Sequence, residues 1–337
     1  MFLSFIVPVY NVETYLEDCL KSLLIQNIPE QDYEIICVND GSTDGSATIM
    51  ERYAATHKNL RIYRQQNAGV SAARNCGLEL AQGDYVWFVD ADDLIAMNVL
   101  AMLKQLALEG DYDRIAFDYY YFKERFTPEE QAAYDAGTLV GFSRYKDANV
   151  VTGILRRQLI EEHQIRFVDS CYGEDNVFIF EFLTHVAKQT ELDRALYYYR
   201  QRPGSTSNTA NDAANEKRYR AGRTNVRILR AYLEGEHGEI PNRQHCADLF
   251  MSTLWSTIWQ ITMMPRNRAR QELRELKQEG LFPRKRQPEC TLKKSYLMSR
   301  TDLYGRLFDF LYIRQATRPG YLAVRGMNRL RHTLQHK

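Results

Sequence analysis

The chain has 337 residues, enough for one large domain with an appendage or for two domains. It is 45% hydrophobic and 26% charged, which excludes global disorder. The net charge of +1 hides an asymmetry: residues 281–337 hold 13 Lys/Arg against 3 Asp/Glu, so the remainder is acidic, a pattern that fits a catalytic body with a basic surface for an anionic partner.

The opening MFLSFIVPVYN has no basic region and no cleavage site and reads as a first strand rather than a signal peptide. A strand over 3–10 leads to a helix from Val12, where Val12, Tyr15, Leu16, Cys19, Leu20, Leu23 and Leu24 make one apolar face and Asn11 is placed to cap it. YEIICVND (33–40) is a second strand. GSTDGS (41–46) turns into a helix through Ile49, Met50 and Tyr53. LRIYRQ (60–65) is a third strand, AGVSAARNCGLELA (68–81) a helix with a small-residue face, and DYVWFVDADD (84–93) a fourth strand. Continuous apolar strands separated by helices predict a parallel sheet covered on both faces.

Further on, the pattern predicts a helix near 94–108, a strand near 113–122, a polar loop with Pro128, and helix and strand over 150–167. A loop opens a helix at 172–186, and an aromatic strand from 195 runs into a Gly/Ser/Thr loop ending at 208. Helices are expected over 215–233 and 243–264. The six cysteines are scattered without a C-x-x-C pair, which reads as buried free thiols in a reducing compartment, neither a disulfide frame nor a zinc site. No stretch approaches 18 uninterrupted apolar residues, so no spanning helix is expected.

The chemistry gathers at turns after strands. PVYN (8–11), NDGSTD (39–44) and DADD (90–93) follow strand C-termini, and QNAGVSAARN (66–75) opens a helix after the third strand, so Asp40, Arg74, Asp90 and Asp92 are expected at one sheet edge, where open parallel sheets bind ligands. Asp90 and Asp92, two apart in an extended segment, would share a face and suit Mg²⁺ or Mn²⁺ bound together with substrate phosphates. The residues alone leave a second reading open: DADD as a helix cap with acidic first-turn residues, and Glu174 and Asp175 as decoration of a helix N-terminus.

IVPVYN, VNDGSTDGS, NAGVSAARNCGL, GDYVWFVDADD and YGEDNVF, in this order within residues 1–208, closely resemble glycosyltransferase family 2. The resemblance implies an α/β GT-A nucleotide-diphospho-sugar transferase fold, a mostly parallel sheet flanked by helices, here with a helical C-terminal extension. It sets a catalytic domain over 1–212, with a nucleotide-binding half (1–110) and an acceptor half (111–212), before an extension over 213–337 that is basic from about 281. It implies that Pro8, Tyr10 and Asn11 hold base and ribose, that Asp40 pairs with the base, usually uracil, and that Arg74 supports it. Asp90, Ala91 and Asp92 match the D-x-D motif, with Asp90 toward ribose or metal and Asp92 on a Mn²⁺ or Mg²⁺ that bridges the diphosphate. Asp175 matches the general base with Glu174 as its neighbour, and Asp93 reads as a structural cap. YYYRQRPGSTSN (197–208) resembles the segment that closes many bacterial members. There Arg200, Arg202, Ser205 and Thr206 either meet the diphosphate, fold over the donor as a lid, or form a solvated turn.

The activity so implied is inverting transfer from a UDP-sugar to a hydroxyl of a glycan or lipid-linked acceptor, at the cytoplasmic face of a bacterial membrane. Such transfer needs a carboxylate to take the acceptor's proton and a cation to assist the leaving diphosphate. Other classes fit less well. Nucleotidyl transfer predicts a glycine-rich basic loop after the first strand, and NAD or P-loop proteins predict G-x-G-x-x-G or G-x-x-x-x-G-K-S/T, all absent there. A non-catalytic nucleotide-sugar-binding or scaffold protein of the same fold is the alternative, but it would commonly lose Asp92 or Asp175. The seven histidines show no metal spacing. The runs at 118–122 and 196–200 read as strands that pack a core first and stack on a sugar second. From Leu303 a basic amphipathic pattern either lies on an anionic membrane or packs on the domain, and an arginine-rich tail alone does not specify nucleic acid.

Overall fold

Burial on both faces selects apolar, β-branched strands, and the first half of the chain follows that rule. The structure, a computed structural model, describes residues 1–139, 149–168, 173–202, 212–235, 240–264 and 266–281. Strands β1 (Leu3–Val9), β2 (Tyr33–Asn39) and β4 (Tyr85–Phe88) are buried nearly throughout, and β3 (Leu60–Arg64) forms one edge. β2 and β4 flank β1, β3 flanks β2, and all three pairings are parallel. Between them run α1 (Glu13–Leu24), α2 (Ser46–Ala54) and α3 (Val70–Leu80). α1 buries Leu16, Cys19, Leu20 and Leu23, the face its periodicity predicts.

Asn11 does not cap α1. Val12 is the cap residue, while Asn11 takes a left-handed φ of 49° and spends its side chain on Thr43 N at 2.8 Å. Asn11 stands one residue before the cap, in a tight turn after the strand that uses the tolerance of Asn for positive φ. The strand expected over 84–93 also stops early. Asp90–Asp93 close a turn, Asp93 N donating to Asp90 O at 3.0 Å, so Asp90 and Asp92 do not share a face of an extended segment. A turn lets neighbouring acids reach different arginines, which an extended strand would not.

The next two residues form the short strand β5 (Leu94–Ile95), so the helix expected near 94–108 begins later, as α4 (Leu100–Gly110). The segment expected as a polar loop is α5 (Pro128–Asp135), started by Pro at its first turn and a capping box of Thr127 and Glu130. Strands β6 (Arg114–Lys123), β7 (Gly153–Arg156) and β8 (Gln189–Gln201) complete an eight-stranded sheet ordered β3-β2-β1-β4-β7-β6-β8-β5. β6 and β8 are parallel, with register shifts around Asp118. β7 runs antiparallel to both its neighbours, and β5 antiparallel to β8, so the sheet is mixed. Two more helices follow β7: α6 (Arg157–Glu162) and α7 (Glu174–His185).

These elements belong to one unit, residues 1–209 with 237–242. A second unit holds α8 (Asp212–Glu234), α9 (Arg243–Met263) and α10 (Arg266–Gln278), the last unforeseen because it is almost wholly polar. The basic stretch 282–337 lies outside the described residues. Cys19, Cys37, Cys76 and Cys246 are free thiols; Cys171 and Cys290 are outside the described residues. No helix among the described residues is long and apolar enough to cross a membrane.

Candidate active site

Parallel register brings the ends of β1 and β2 side by side, Val9 opposite Asn39. The loops beyond them are tied reciprocally. Asn11 N donates to Ser42 Oγ at 3.2 Å, Glu13 N to Asp44 Oδ2 at 3.0 Å, and Gly45 N to Glu13 Oε2 at 2.5 Å. Gly41 takes φ 73°, and a Cβ there would stand 3.0 Å from Asn67 N. On this stiffened edge Pro8 is half-buried while Tyr10 and Asn11 are exposed. Asp40 is 3% exposed. Its Oδ1 accepts from Gln65 Nε2 and Ala68 N, both at 2.8 Å, and its Oδ2 from Gly69 N at 2.9 Å. It therefore shapes the turn into α3.

From α3, Arg74 reaches two acids at once. Nη1 donates to Glu174 Oε1 and Nη2 to Asp90 Oδ1, both at 2.8 Å, and the guanidinium lies over the Phe167 ring at 5.2 Å. Arg74 is 5% exposed. Burial alone would weaken its charge, but the charges of Asp90 and Glu174 outweigh that and raise its pKa further. One turn on, Gly77 faces β1 so closely that a Cβ would run into the Ile6 side chain.

The acidic turn uses its members differently. Asp92 Oδ2 accepts from Arg202 Nε at 2.6 Å; burial, then the charge of Asp90, nonetheless raises its pKa. Ala91 is buried. Asp93 is buried and accepts from Tyr197 Oη at 2.6 Å and from Arg200 N at 2.7 Å, which fastens the turn to β8. Burial pushes its pKa well above the carboxylate range. Arg200 is committed to the protein. Nε donates to Asp92 O at 2.8 Å, Nη1 to Glu124 O, and Nη2 lies 3.3 Å from Asp18 Oδ2, with Tyr15 and Phe122 against the guanidinium. Ser205 and Thr206 lie outside the described residues.

Helix α7 starts at Gly173, whose φ of 72° favours glycine. Phe178 on α7 meets Phe88 of β4 at 5.5 Å and Phe167 at 4.1 Å, so aromatic packing draws the helix toward the end of β4. Glu174 and Asp175 occupy its first turn. The helix dipole and Arg74 favour the ionised form of Asp175, yet burial, followed by the charge of Glu174, pushes it up to about 7. Asp175 is thus poised to exchange a proton near neutrality, which suits a general base. Its neighbour Glu174 is already held by Arg74.

Among the described residues no group of three or more His, Cys, Asp or Glu is arranged to hold a metal ion. Asp90 and Asp92 each give one oxygen to an arginine and keep a second outside those ion pairs. Two hard oxygens fit an ion that takes its remaining ligands from water and substrate phosphates. His163 and His185 stack on each other at 3.5 Å in a packing role. Sequence reasoning missed Tyr197, whose hydroxyl accepts from Asp90 N at 3.2 Å while donating to Asp93, and missed Phe167 under Arg74. Period-two alternation along β8, whose side chains face opposite sides in turn, is the signal that would have separated Tyr197 from Tyr198.

The model of the family described as Glycosyl transferase family 2 matches residues 4–162, a stretch that includes the acidic turn and stops short of Glu174 and Asp175. The uncharacterized glycosyltransferase YibD of Escherichia coli (strain K12) is 32% identical over 245 residues, covering 69% of this chain and 68% of its own. The uncharacterized glycosyltransferase EpsJ of Bacillus subtilis (strain 168) is 31% identical over 242 residues, with 65% and 67% covered. Among solved structures, S. aureus TarS 1–349 in complex with UDP-GlcNAc superposes with a TM-score of 0.70 at 23% identity, covering 98% of this chain and 92% of that one. Sequence kinship, the shared GT-A architecture and the acid-lined sheet edge converge: the chain belongs to glycosyl transferase family 2 and is a glycosyltransferase.

Proposed function

We propose that the enzyme transfers a sugar, with inversion, from a nucleotide-sugar to a hydroxyl of a glycan or lipid-linked acceptor. The observation that carries this reading is the double grip of Arg74. It holds Asp90 of the acidic turn and Glu174 of α7 on one guanidinium, so Asp175 stands beside the turn that would meet the diphosphate. Pro8, Tyr10, Asn11 and Asp40 would receive the nucleoside on the stiffened edge of β1 and β2. Asp90 and Asp92 would hold Mn²⁺ or Mg²⁺, and such an ion, when bound, would neutralise charge on the diphosphate. Asp175 takes the acceptor's proton as its oxygen attacks the anomeric carbon from the opposite side. Arg202, paired with Asp92, would meet the departing diphosphate.

TarS is the neighbour that binds UDP-GlcNAc, which supports UDP-sugars as the first donors to try. In this reading residues 1–110 serve the nucleotide and 111–212 the acceptor. The extension over 213–337 would bring the enzyme to the cytoplasmic side of an anionic membrane through its basic tail. A thermal-shift panel of nucleotide-sugars with Mn²⁺, Mg²⁺ or chelator tests the donor reading, since a ligand of the native state raises the melting temperature. Stabilisation by one UDP-sugar that chelator abolishes is the expected result; no shift with any nucleotide overturns it. Flotation with phosphatidylserine vesicles tests the tail, and unchanged flotation after removal of residues 303–337 would count against it.

A further inference from the structure

The sheet divides the two aromatic runs between two tasks. Tyr119 pairs with Tyr197 and Tyr121 with Tyr199 across β6 and β8. Alternation along each strand sets these four rings on one face and Tyr120, Phe122, Tyr198 and Arg200 on the other. The second face is core. Phe122 stacks on Phe126 at 4.2 Å, and Tyr198 meets Tyr134 at 5.0 Å and Phe126 at 6.1 Å.

The first face runs up to the acidic turn, because the Tyr197 hydroxyl sits between Asp90 N and Asp93 Oδ2. Along it the rings go from buried to open: Tyr119 is 4% exposed and Tyr121 49%. The Tyr119 and Tyr121 hydroxyls share a hydrogen bond of 2.9 Å. The Tyr121 ring stands edge-to-face with Tyr119 at 4.8 Å and with Tyr199 at 5.3 Å. A half-exposed ring braced by two others presents a fixed apolar surface edged with hydroxyl groups, at little entropic cost to whatever lands on it.

We propose that Tyr121, braced by Tyr119 and Tyr199, is the platform on which a sugar ring of the acceptor stacks. The proposal deepens the glycosyl-transfer reading and rests on it. A pyranose offers a C–H face to the ring and hydroxyls to the phenols. The platform is continuous, through Tyr197, with the turn at which transfer would occur, and it lies on strands of the half assigned to the acceptor. Lys123 and Gln201, the next pair in register, follow on the same face and add polar groups at its open end.

Saturation-transfer NMR on the full chain, with chitotetraose, cellotetraose and maltotetraose as probes, tests the platform. The wild type should bind at least one of them. Tyr121→Ala should weaken that binding about tenfold, the scale of one aromatic contact, and Tyr121→Phe or Tyr121→Trp should restore it. The melting-temperature rise with UDP-GlcNAc and Mn²⁺ serves as the fold control in every variant. Equal affinity in Tyr121→Ala, or a wild type that binds none of the probes, overturns the platform. A wild type that binds saccharide through Tyr121 but gives no shift with any nucleotide-sugar would sink the donor reading and leave the saccharide site standing.

Discussion

Two arginine–carboxylate clusters in this protein use the same chemistry to opposite ends. Around Arg74 and Arg202 four acids crowd together, and Asp92 and Asp175 hold their protons more tightly than free carboxylates. Between α8 and α10, Arg223 contacts Glu272, Glu275 and Glu279, Arg227 adds a second cation to Glu279, and Arg268 contacts Glu216. There Glu279 falls to about 2, through Arg227 ahead of Arg223, and Glu216 and Glu275 are lowered as well. The difference lies in which neighbour dominates each acid. Direct arginine contacts lead at Glu279, Glu216 and Glu275 and stabilise the ionised form, whereas desolvation and a neighbouring carboxylate lead at Asp92 and Asp175 and oppose it.

The largest effect should come from the acid proposed as the base. Asp175→Asn is expected to lower transfer by about 10²–10⁴-fold while leaving donor-induced stabilisation in place. Full activity in that variant would remove Asp175 from the mechanism. Next, Arg74→Met leaves Glu174 and Asp90 without their shared cation and should cost about 3 kcal/mol in urea unfolding. A loss below about 1 kcal/mol would mean that the acids re-solvate and the contrast with the α8–α10 cluster is shallow.

The pH dependence separates the clusters by sign. In its proposed role as base Asp175 must be ionised, so transfer should rise with pH up to about 7 and then level off. The same raised pKa makes its contribution to stability fall as pH climbs from about 4 to about 7, since the native state there binds the extra proton. Glu279 has the opposite slope: its contribution is present above its ordinary 4.5 and is lost as pH falls toward about 2. Urea titrations of Asp175→Asn and Glu279→Gln between pH 2 and 8 read both signs, and parallel curves would erase the distinction. The smallest change should be Glu279→Gln at pH 7, about 1 kcal/mol because the cluster is partly solvated.

How far the sequence foretold this depends on sequence separation. β1 to β4, α1 and α3 were legible because their burial is encoded in contiguous periodicity. α5 announced itself only through Thr127, Pro128 and Glu130, a start signal easily taken for loop chemistry. β5 was illegible, since its two residues become a strand only by pairing with β8 about a hundred positions later. In the site, the family motifs singled out Asp90, Asp92, Glu174 and Asp175, yet the link between them is Arg74, whose contact with Glu174 spans 100 residues. The strand was expected to run on through 90–93 because apolar Val89 continues the run, while Tyr197 and Arg200 of β8, which fasten the turn, lie 104 and 107 positions from Asp93.

Gly77 carries a consequence for that link. It lets α3 settle onto Ile6 of β1, and Arg74 sits one turn earlier on the same helix. A methyl at position 77 would lift the helix from the sheet, because a close-packed contact has no slack to absorb it. The guanidinium would then have to span a wider gap to Asp90 and Glu174. The clearance between the first turn of α7 and the acidic turn is thus gauged by an uncharged contact, where the missing side chain of one residue acts as the spacer.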